Sequence, residues 1–367
     1  TSKEFLTGGT PTREAQSLPH KMLRFVGIAL LSLALAESIV VFNDSAIVDE
    51  SDFMNHFPTP VTGFCRDLCH VYASITEQHR SIADKLLIQT AKGFISVSTV
   101  ADMKDAATGR QLPLEIKNMP TLTITNANAN YASGNIVVYV VNHNADYFDT
   151  AEVYDAYGLD RKPSLAQAIT VLSAVPFTLT ESNYQSMGVI AKLAGFDTLD
   201  GPTCPAVYSL SWTPFPGFQM TINGPIVSLL YDIKQFPYPA GELKASHTYS
   251  DTHRMEQSGF IVSSGWHGCN GRLAYQSSMY NQTIGMSQHL RDDINYQDIT
   301  VNVQTNAREQ NAVVMTGSNG NVLGRYFNNV DSKEVQKFKD FNLNFEWTSE
   351  GNTHYLIRYN STAKPIY

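Results

Sequence analysis

The sequence predicts a mainly β protein of two tandem antiparallel β-sandwich domains, and the first observation behind this is a weak internal repeat. Residues 92–99 (KGFISVST) are echoed by 258–265 (SGFIVSSG). Two further landmarks keep the same order: 151–158 with 312–320, and 177–182 with 345–350. Self-similarity at a nearly constant offset indicates a duplicated unit. We therefore expect one β-rich module to occur twice.

Short segments with alternating apolar residues are the second observation. The clearest is 341–347 (FNLNFEW), in which every second residue is apolar, and we expect 355–359 to be its neighbour across a turn. Strands with one apolar face are typical of sheets that bury one side and expose the other. Helical segments of crossover length are missing between these strands, which favours an antiparallel sandwich over a parallel α/β sheet.

The repeat and the turn formers around residues 196–205 divide the chain into a first domain at 39–198 and a second at 199–367. Each is long enough to bury its own core. Apolar residues at helical spacing between 67 and 88 also predict a helix in the first domain. The matching region of the second domain contains prolines and glycine, so it cannot form the same helix.

Residues 22–36 have the layout of a cleaved secretory signal peptide. Lys21 and Arg24 provide the positive start, an apolar run follows to Ala36, and Ala34 and Ala36 form a small-residue cleavage site. Residues 1–21 would then be an upstream or non-native extension. A buried N-terminal helix and an uncleaved anchor are the alternatives. The interpretation predicts a secreted, extracellular protein with no membrane span after cleavage.

Four cysteines fit an oxidising compartment, where an even, small set is typically paired. Three connectivities are possible. We favour Cys65 with Cys69 and Cys204 with Cys269, because the first two lie in the first copy of the repeat, Cys269 lies in the second and Cys204 lies at their junction. The alternative is a zinc site, whose ligands would be Cys65, Cys69, His70 and His79. Its spacing is not that of a known zinc finger.

Three Asn-x-Ser/Thr sequons begin at Asn43, Asn281 and Asn360, and they predict a glycoprotein in which about two sites carry glycan. The net charge of -8, without a basic stripe in the sequence, argues against nucleic acid and anionic membranes as partners. The partner expected instead is an extracellular glycan or protein. Oligomeric state stays open.

The sequence contains no nucleophile elbow, zinc-protease motif, phosphate loop or dinucleotide fingerprint, so we predict no catalytic residues, no metal and no cofactor. One polar cluster could still converge as metal ligands or an acid–base set: His247, Asp251, His253 and His267. Ser, Asp and Thr around them favour turns, which makes loop residues the preferred interpretation.

Trp266 lies beside glycines in an expected loop, and aromatic residues on loops commonly anchor sugars or proteins. We therefore predict a ligand-binding site at Trp266, His267 and His253. The alternative for Trp266 is a cap over the core of the sandwich.

Several features together resemble the tandem CUB-like domains of secreted nematode proteins. They are the leader, β units of roughly 130 residues, the strand-turn element 313–322 (VVMTGSNGNV), and the segments 341–347 and 355–359. The resemblance implies a jelly-roll sandwich and an extracellular role in binding or in defence, as in innate immunity. Ordinary CUB domains usually carry two disulfides and calcium-binding carboxylates, whereas this chain has four cysteines in all and no evident carboxylate trio.

The leading hypothesis is a secreted, glycosylated, non-enzymatic protein that binds an extracellular ligand. The first alternative is a secreted hydrolase or metal-dependent enzyme that uses the loops between His247 and His267. The second is a component of an extracellular matrix or coat, for which the Asn-, Ser-, Thr- and Tyr-rich surface would serve adhesion.

Overall fold

Most of the described chain is β-strand. The structure is a computed structural model, and it describes residues 39–40, 45–48, 61–64, 68–117, 121–126, 136–142, 151–161, 165–182, 188–193, 208–211, 217–223, 225–231, 242–246, 256–263, 279–285, 294–328, 330–331, 335–348 and 354–365.

The first fourteen strands in chain order are β1 (Ile39–Val40), β2 (Ser45–Val48), β3 (Val61–Phe64), β4 (Leu68–Ile75), β5 (Leu86–Thr90), β6 (Gly93–Ser96), β7 (Leu114–Lys117), β8 (Thr121–Asn126), β9 (Ile136–Asn142), β10 (Ala151–Asp155), β11 (Asp160–Arg161), β12 (Ala168–Leu172), β13 (Phe177–Ser182) and β14 (Gly188–Lys192).

The remaining strands are β15 (Tyr208–Ser211), β16 (Gly217–Asn223), β17 (Ile226–Tyr231), β18 (Glu242–Ser246), β19 (Glu256–Ser263), β20 (Met279–Gly285), β21 (Ile294–Thr305), β22 (Val313–Gly317), β23 (Val322–Tyr326), β24 (Val330–Asp331), β25 (Gln336–Asp340), β26 (Asn342–Thr348) and β27 (Tyr355–Pro365). The described helices are short: α1 (Arg80–Ala83), α2 (Val97–Asp102) and the 3-10 turns Glu77–His79 and Glu309–Asn311.

These strands form five sheets. Sheet I has the order β1-β3-β8-β5-β6, sheet II β2-β9-β4-β7 and sheet III β10-β12-β17-β14-β15. Sheet IV runs β11-β18-β13-β16-β19-β27-β21-β24, with β25 also paired to β21, and sheet V runs β20-β26-β22-β23. Antiparallel pairs predominate, whereas β10–β12 and β16–β19 are parallel.

Four apolar cores lie between successive sheets, so the sheets are stacked in the order I to V. Sheets I and II, with α2, enclose Val71, Ile88, Val100 and Val138. Tyr72 and Tyr139 of sheet II pack against Val153, Leu172 and Ile226 of sheet III. Sheets III and IV share Ile169, Leu229, Phe177 and Phe260, and sheets IV and V share Ile261, Ile357, Phe345 and Trp347. Full burial of each large apolar side chain contributes about 1.5–3 kcal/mol.

The predicted fold class is confirmed: the protein is mainly β, its sheets are largely antiparallel, and they pack face to face as sandwiches. The short helices α1 and α2 lie in the first part of the chain, and only α1 falls within the segment where a helix was expected. The strand predicted at 341–347 is β26, with Leu343, Phe345 and Trp347 buried. Its predicted neighbour was wrong, because β26 pairs with β20 and β22 while residues 355–359 belong to β27 in the facing sheet.

The helix predicted between residues 67 and 88 was also wrong, because most of this segment is strand. Residues 68–75 form β4, and only the four residues of α1 are α-helical before β5 begins. Val71 and Ala73 face the core with sheet I, and Tyr72 faces sheet III. A strand buried on both faces shows no alternation, so its apolar residues resemble those of a buried helix.

The internal repeat does not correspond to a structural repeat. Residues 93–96 form the edge strand β6, whereas the matching residues of β19 lie in the middle of sheet IV. Residues 151–158 and 177–182 of the first copy contribute to sheets III and IV, respectively. The matching segments of the second copy, which begin at residues 312 and 345, contribute to sheet V. The position between residues 198 and 199 also lies between β14 and β15, which are hydrogen-bonded to each other. Strands from both sides of that position therefore share sheets III and IV.

Candidate functional site

Sheets III and V cover different parts of sheet IV. Part of each face of sheet IV is therefore not covered by either of these two sheets. Sheet III packs on the face that holds Phe177, Met220 and Phe260, whereas sheet V packs on the opposite face at Ile299 and Ile357. The two overlap at β19 and β27, where Phe260 and Ile261 enter different cores. Beyond the overlap, each half of sheet IV has one face without a facing sheet among the described strands.

The first of these areas is a buried polar face on β13 and β16. Thr178, Gln219, Thr221 and Asn223 are each at most 7% exposed, and register places Thr178 opposite Thr221. The Thr178 and Thr221 hydroxyls are 3.3 Å apart, and Asn223 Nδ2 donates to the hydroxyl of Tyr355. Because this area is buried, it serves packing rather than direct contact with a ligand.

The second area is half-exposed, and we call it the polar platform. Its members alternate with buried residues along three adjacent strands: Tyr296, Asp298, Thr300, Asn302 and Gln304 on β21, Arg358, Asn360, Thr362 and Lys364 on β27, and Lys337 and Lys339 on β25. The buried residues between them, such as Ile299, Val301 and Val303, face sheet V. The period of two along each strand therefore directs the polar side chains to one face.

Hydrogen bonds and charge contacts connect the platform side chains. Arg358 Nη1 donates to Asn302 Oδ1 and to Gln304 Oε1, both at 3.4 Å. Lys364 Nζ lies 3.4 Å from Asp298 Oδ2. Lys339 Nζ lies 5.1 Å from the centre of the Tyr296 ring, which is within cation–π range. The Arg358 guanidinium is thus held in one position with amide groups on either side.

The amide of Asn360 occupies the middle of the platform. Thr300 Oγ1 donates to its backbone carbonyl at 3.3 Å. Its side-chain Oδ1 is buried and accepts no hydrogen bond from the described residues. A buried acceptor without a donor is unfavourable by about 1–3 kcal/mol. Because this oxygen is shielded from solvent, it does not contact a ligand on the surface of the platform.

The predicted ligand-binding residues Trp266, His267 and His253 lie outside the described residues, as do His247 and Asp251. Their segments are attached to described strands, however. Residue 253 precedes the first residue of β19, and residues 266 and 267 follow its last. The two ends of this eight-residue strand are roughly 23 Å apart. Glu256, at the first end, pairs with Thr362 of the platform. The site at these residues, and the enzyme hypothesis that uses them, stay predictions.

Cys69 is disulfide-bonded and fully buried, and it lies in β4. Its partner, and the predicted cysteines Cys65, Cys204 and Cys269, lie outside the described residues. A disulfide sulfur cannot serve as a thiolate ligand, so the alternative zinc site with Cys69 is wrong. No group of three or more potential metal-binding side chains occurs within the described ranges.

The three predicted glycosylation sites are placed differently. Asn43 lies outside the described residues. Asn281 is in the edge strand β20, where its Cα pairs with Glu346. Asn360 is in β27, between β19 and β21, at the centre of the platform.

The leader predicted at residues 22–36 and the extension at 1–21 also fall outside the described residues. Among the helices that the structure describes, none has the length and apolarity needed to cross a membrane.

Comparison with known families and with curated proteins gives no match. Among solved structures, the CUB1-EGF-CUB2 domain of human MASP-1/3 is 11% identical, with 88% of this chain and 100% of that chain covered and a TM-score of 0.22. The CUB1-EGF-CUB2 domains of rat MASP-1 are 9% identical, with 88% and 99% covered and a TM-score of 0.19. A tryptic core variant of Cry1Da from Bacillus thuringiensis is 12% identical, with 57% and 54% covered and a TM-score of 0.17.

TM-scores this low do not establish a common fold, so no conclusion about fold or function rests on these similarities. CUB-domain proteins are among the matched structures, and the nematode type of the resemblance stays a prediction.

Sequence reasoning missed the polar platform, although part of its pattern is visible. Residues 296–304 alternate between polar and apolar positions, which indicates one wet face. The contribution of β25 and β27 depends on long-range pairing, which the sequence does not specify.

Proposed function

We propose that this chain is a secreted, non-enzymatic protein that binds an extracellular glycan through the polar platform. The observation that carries the proposal is the half-exposed field of amide, hydroxyl and cationic side chains on β21, β25 and β27. Such a field is accessible, unlike the buried polar face on β13 and β16.

The chemistry of the platform suits a sugar. Sugar hydroxyls both donate and accept hydrogen bonds, and the Asn and Gln amides offer both roles on neighbouring atoms. Arg358 is fixed by Asn302 and Gln304, so less side-chain entropy is lost when a ligand arrives.

The remaining predictions fit this function and are part of the proposal. Residues 22–36 direct export, and Cys65–Cys69 and Cys204–Cys269 form in the oxidising compartment. A role in defence agrees with recognition of foreign glycans. Trp266, His267 and His253 would extend the contact beyond the platform, because the segment with His253 enters β19 beside Thr362.

Of the three sequons, we propose that Asn43 and Asn281 carry glycan and that Asn360 does not. A glycan on Asn360 would cover the middle of the platform and occupy the position of the ligand. Glycopeptide mass spectrometry of the secreted protein gives the occupancy of each site. A fully occupied Asn360 would show that the ligand binds elsewhere.

The test of the function is a glycan array probed with the mature protein. We expect a restricted set of glycans to bind, and the double variant Asn302→Ala/Gln304→Ala to lose about tenfold or more in affinity, since two hydrogen-bonding amides and the support of Arg358 are removed. Asn344→Ala is the matched control, because Asn344 contacts Glu346 of its own strand in sheet V.

Equal binding by Asn302→Ala/Gln304→Ala and by the unaltered protein would overturn the platform as the site. If no glycan on the array is bound, and if the unaltered protein and both variants capture the same protein ligand, the function is protein recognition and not glycan recognition.

A further inference from the structure

The cations of the polar platform are concentrated at its β25 edge, although the protein carries a formal net charge of -8. Four cationic side chains, Lys337, Lys339, Arg358 and Lys364, share the platform with Asp298, and the register also places Glu256 opposite Thr362 and Asp331 opposite Gln304. The two lysines of β25 are separated from Glu256 by β21 and β27, and they pair with β21 four residues or more from the position of Asp331. This edge of the platform therefore favours anionic partners.

The cations are close together because of strand register. Lys337 and Lys339 are two residues apart on β25 and therefore about 7 Å apart. Arg358 and Lys364 lie on β27, which is separated from β25 by β21 alone, so the two outer strands are about 10 Å apart. The field is thus wide enough for several groups of a polymeric ligand at once.

The lysines of β25 have no ion pair among the described side chains. Asp298 is paired with Lys364 at 3.4 Å. Within the described residues, Lys337 and Lys339 have no carboxylate at salt-bridge distance, and both side chains are exposed. Lys339 instead lies over the Tyr296 ring. An attached anion would therefore gain charge interactions without first breaking an internal ion pair.

We infer that the ligand of the platform is an anionic polysaccharide, with sulfate or carboxylate groups bound by Lys337, Lys339 and Arg358 and hydroxyls bound by the intervening amides. This inference rests on the proposed function and names its ligand class. Arg358 supplies a planar fork that matches the oxygens of a sulfate or carboxylate, whereas the two lysines act as point charges. A polymer is favoured over a free anion because the cations lie on two strands, β25 and β27, that are separated by β21.

The experiment measures binding of the mature protein to three immobilised probes: heparin, which is sulfated, hyaluronan, which carries carboxylates alone, and uncharged dextran. We expect binding to heparin or hyaluronan and none to dextran, with affinity falling as salt is raised. Lys337→Glu/Lys339→Glu should lower the affinity about tenfold or more. Lys85→Glu/Lys92→Glu is the matched control, because it makes the same charge change at exposed lysines of the first sheets and should leave the affinity unchanged.

The outcomes separate the inference from the function on which it rests. An equal loss in both double variants would overturn the inference, since net charge rather than the platform would then explain binding. Binding to neutral glycans that depends on Asn302 and Gln304 but not on Lys337 and Lys339 would overturn the ligand class and keep the function. Binding to anionic lipid vesicles in place of all three polysaccharides would overturn both.

Discussion

At the scale of single residues, Tyr72 shows how burial between two sheets changes an ionisable group. Its ring is 6% exposed and stacks on Tyr139, with ring centres 5.9 Å apart and planes inclined by 22°. Burial raises the pKa of Tyr72 from 10.0 to about 12, although Arg110 opposes the shift. The low-polarity surroundings disfavour the phenolate, so the folded protein keeps a proton that the unfolded chain releases.

This shift predicts a loss of stability in alkali. Between pH 10.0 and about 12 the unfolded chain has lost the Tyr72 proton and the folded protein has not, so the free energy of unfolding falls by up to about 1.4 kcal/mol per pH unit. Below pH 10.0 the neutral form is present in both states and the term is constant.

Urea unfolding of the unaltered protein and Tyr72→Phe across this range is the measurement. Tyr72→Phe should show a shallower fall, whereas Tyr157→Phe, at a tyrosine that is 57% exposed, should follow the unaltered protein. Parallel curves for all three proteins would show that Tyr72 ionises equally in both states.

At the scale of elements, β19 requires a residue without a side chain at Gly259. A Cβ there would overlap the carbonyl oxygen of Gln219 on β16 and would lie 2.7 Å from the Tyr359 hydroxyl on β27. The carbonyl belongs to a paired strand and cannot move away. The close approach lets Tyr359 lie across β19, on the face that packs against sheet V.

Gly259→Ala should therefore destabilise the protein by about 1–3 kcal/mol or more, the usual cost of overpacking a core. Gly109→Ala is the matched control: Gly109 has a φ of +70° but no atom within 4 Å of the added methyl, so it should lose only about 1 kcal/mol through left-handed strain. Denaturant unfolding of the two variants gives both values. A Gly259→Ala variant as stable as Gly109→Ala would contradict the packing account.

Elements also show which parts of the fold the sequence predicts. Where a strand has one buried face, as in β26, alternation identified it and its apolar face. Where a strand lies between two cores, as in β4, both faces are apolar and the pattern resembled a helix. Pairing partners were not predictable, since β26 pairs across the chain with β20 rather than with the segment that follows it.

The polar platform could not be predicted for the same reason. Lys337 and Lys339 on β25 are separated in the sequence from Arg358 and Lys364 on β27, and only the pairing of both strands with β21 brings the two pairs to one face. A sequence scan for a basic stripe finds none, because the cations alternate with apolar residues on separate strands. The alternation of residues 296–304 predicts a strand with one solvent-exposed face, but it does not predict the charge of that face.

At the scale of the whole molecule, polar contacts join sheets II and III beside their apolar contact. Ser74 Oγ of β4 donates to Asp155 Oδ1 of β10 at 2.9 Å, and it accepts from the Ala174 backbone N–H at 3.0 Å. Lys104 Nζ lies 3.3 Å from the other oxygen of Asp155. Ser74 and Asp155 are both buried, where water does not reach them, so their hydrogen bonds must come from these contacts within the protein.

Removal of the Ser74 hydroxyl should loosen this junction. In Ser74→Ala the Ala174 N–H loses its acceptor while it stays buried, and Asp155 Oδ1 keeps only the hydrogen bond from the Tyr157 N–H. The loss costs about 1–3 kcal/mol. Amide hydrogen exchange at Ala174 should then accelerate by about tenfold or more, because local opening of the junction becomes easier.

Ser98→Ala is the matched control for the junction. Ser98 is also buried and its hydroxyl also donates to a carboxylate, that of Asp84, but Ser98 lies in α2 and Asp84 directly follows α1. Ser98→Ala should lower the free energy of unfolding by a similar amount. The rate of amide exchange at Ala174 should then rise no more than this loss of global stability requires. Faster exchange at Ala174 in both variants would show that the five sheets open as one unit and that the Ser74–Asp155 contact has no separate role in joining sheets II and III.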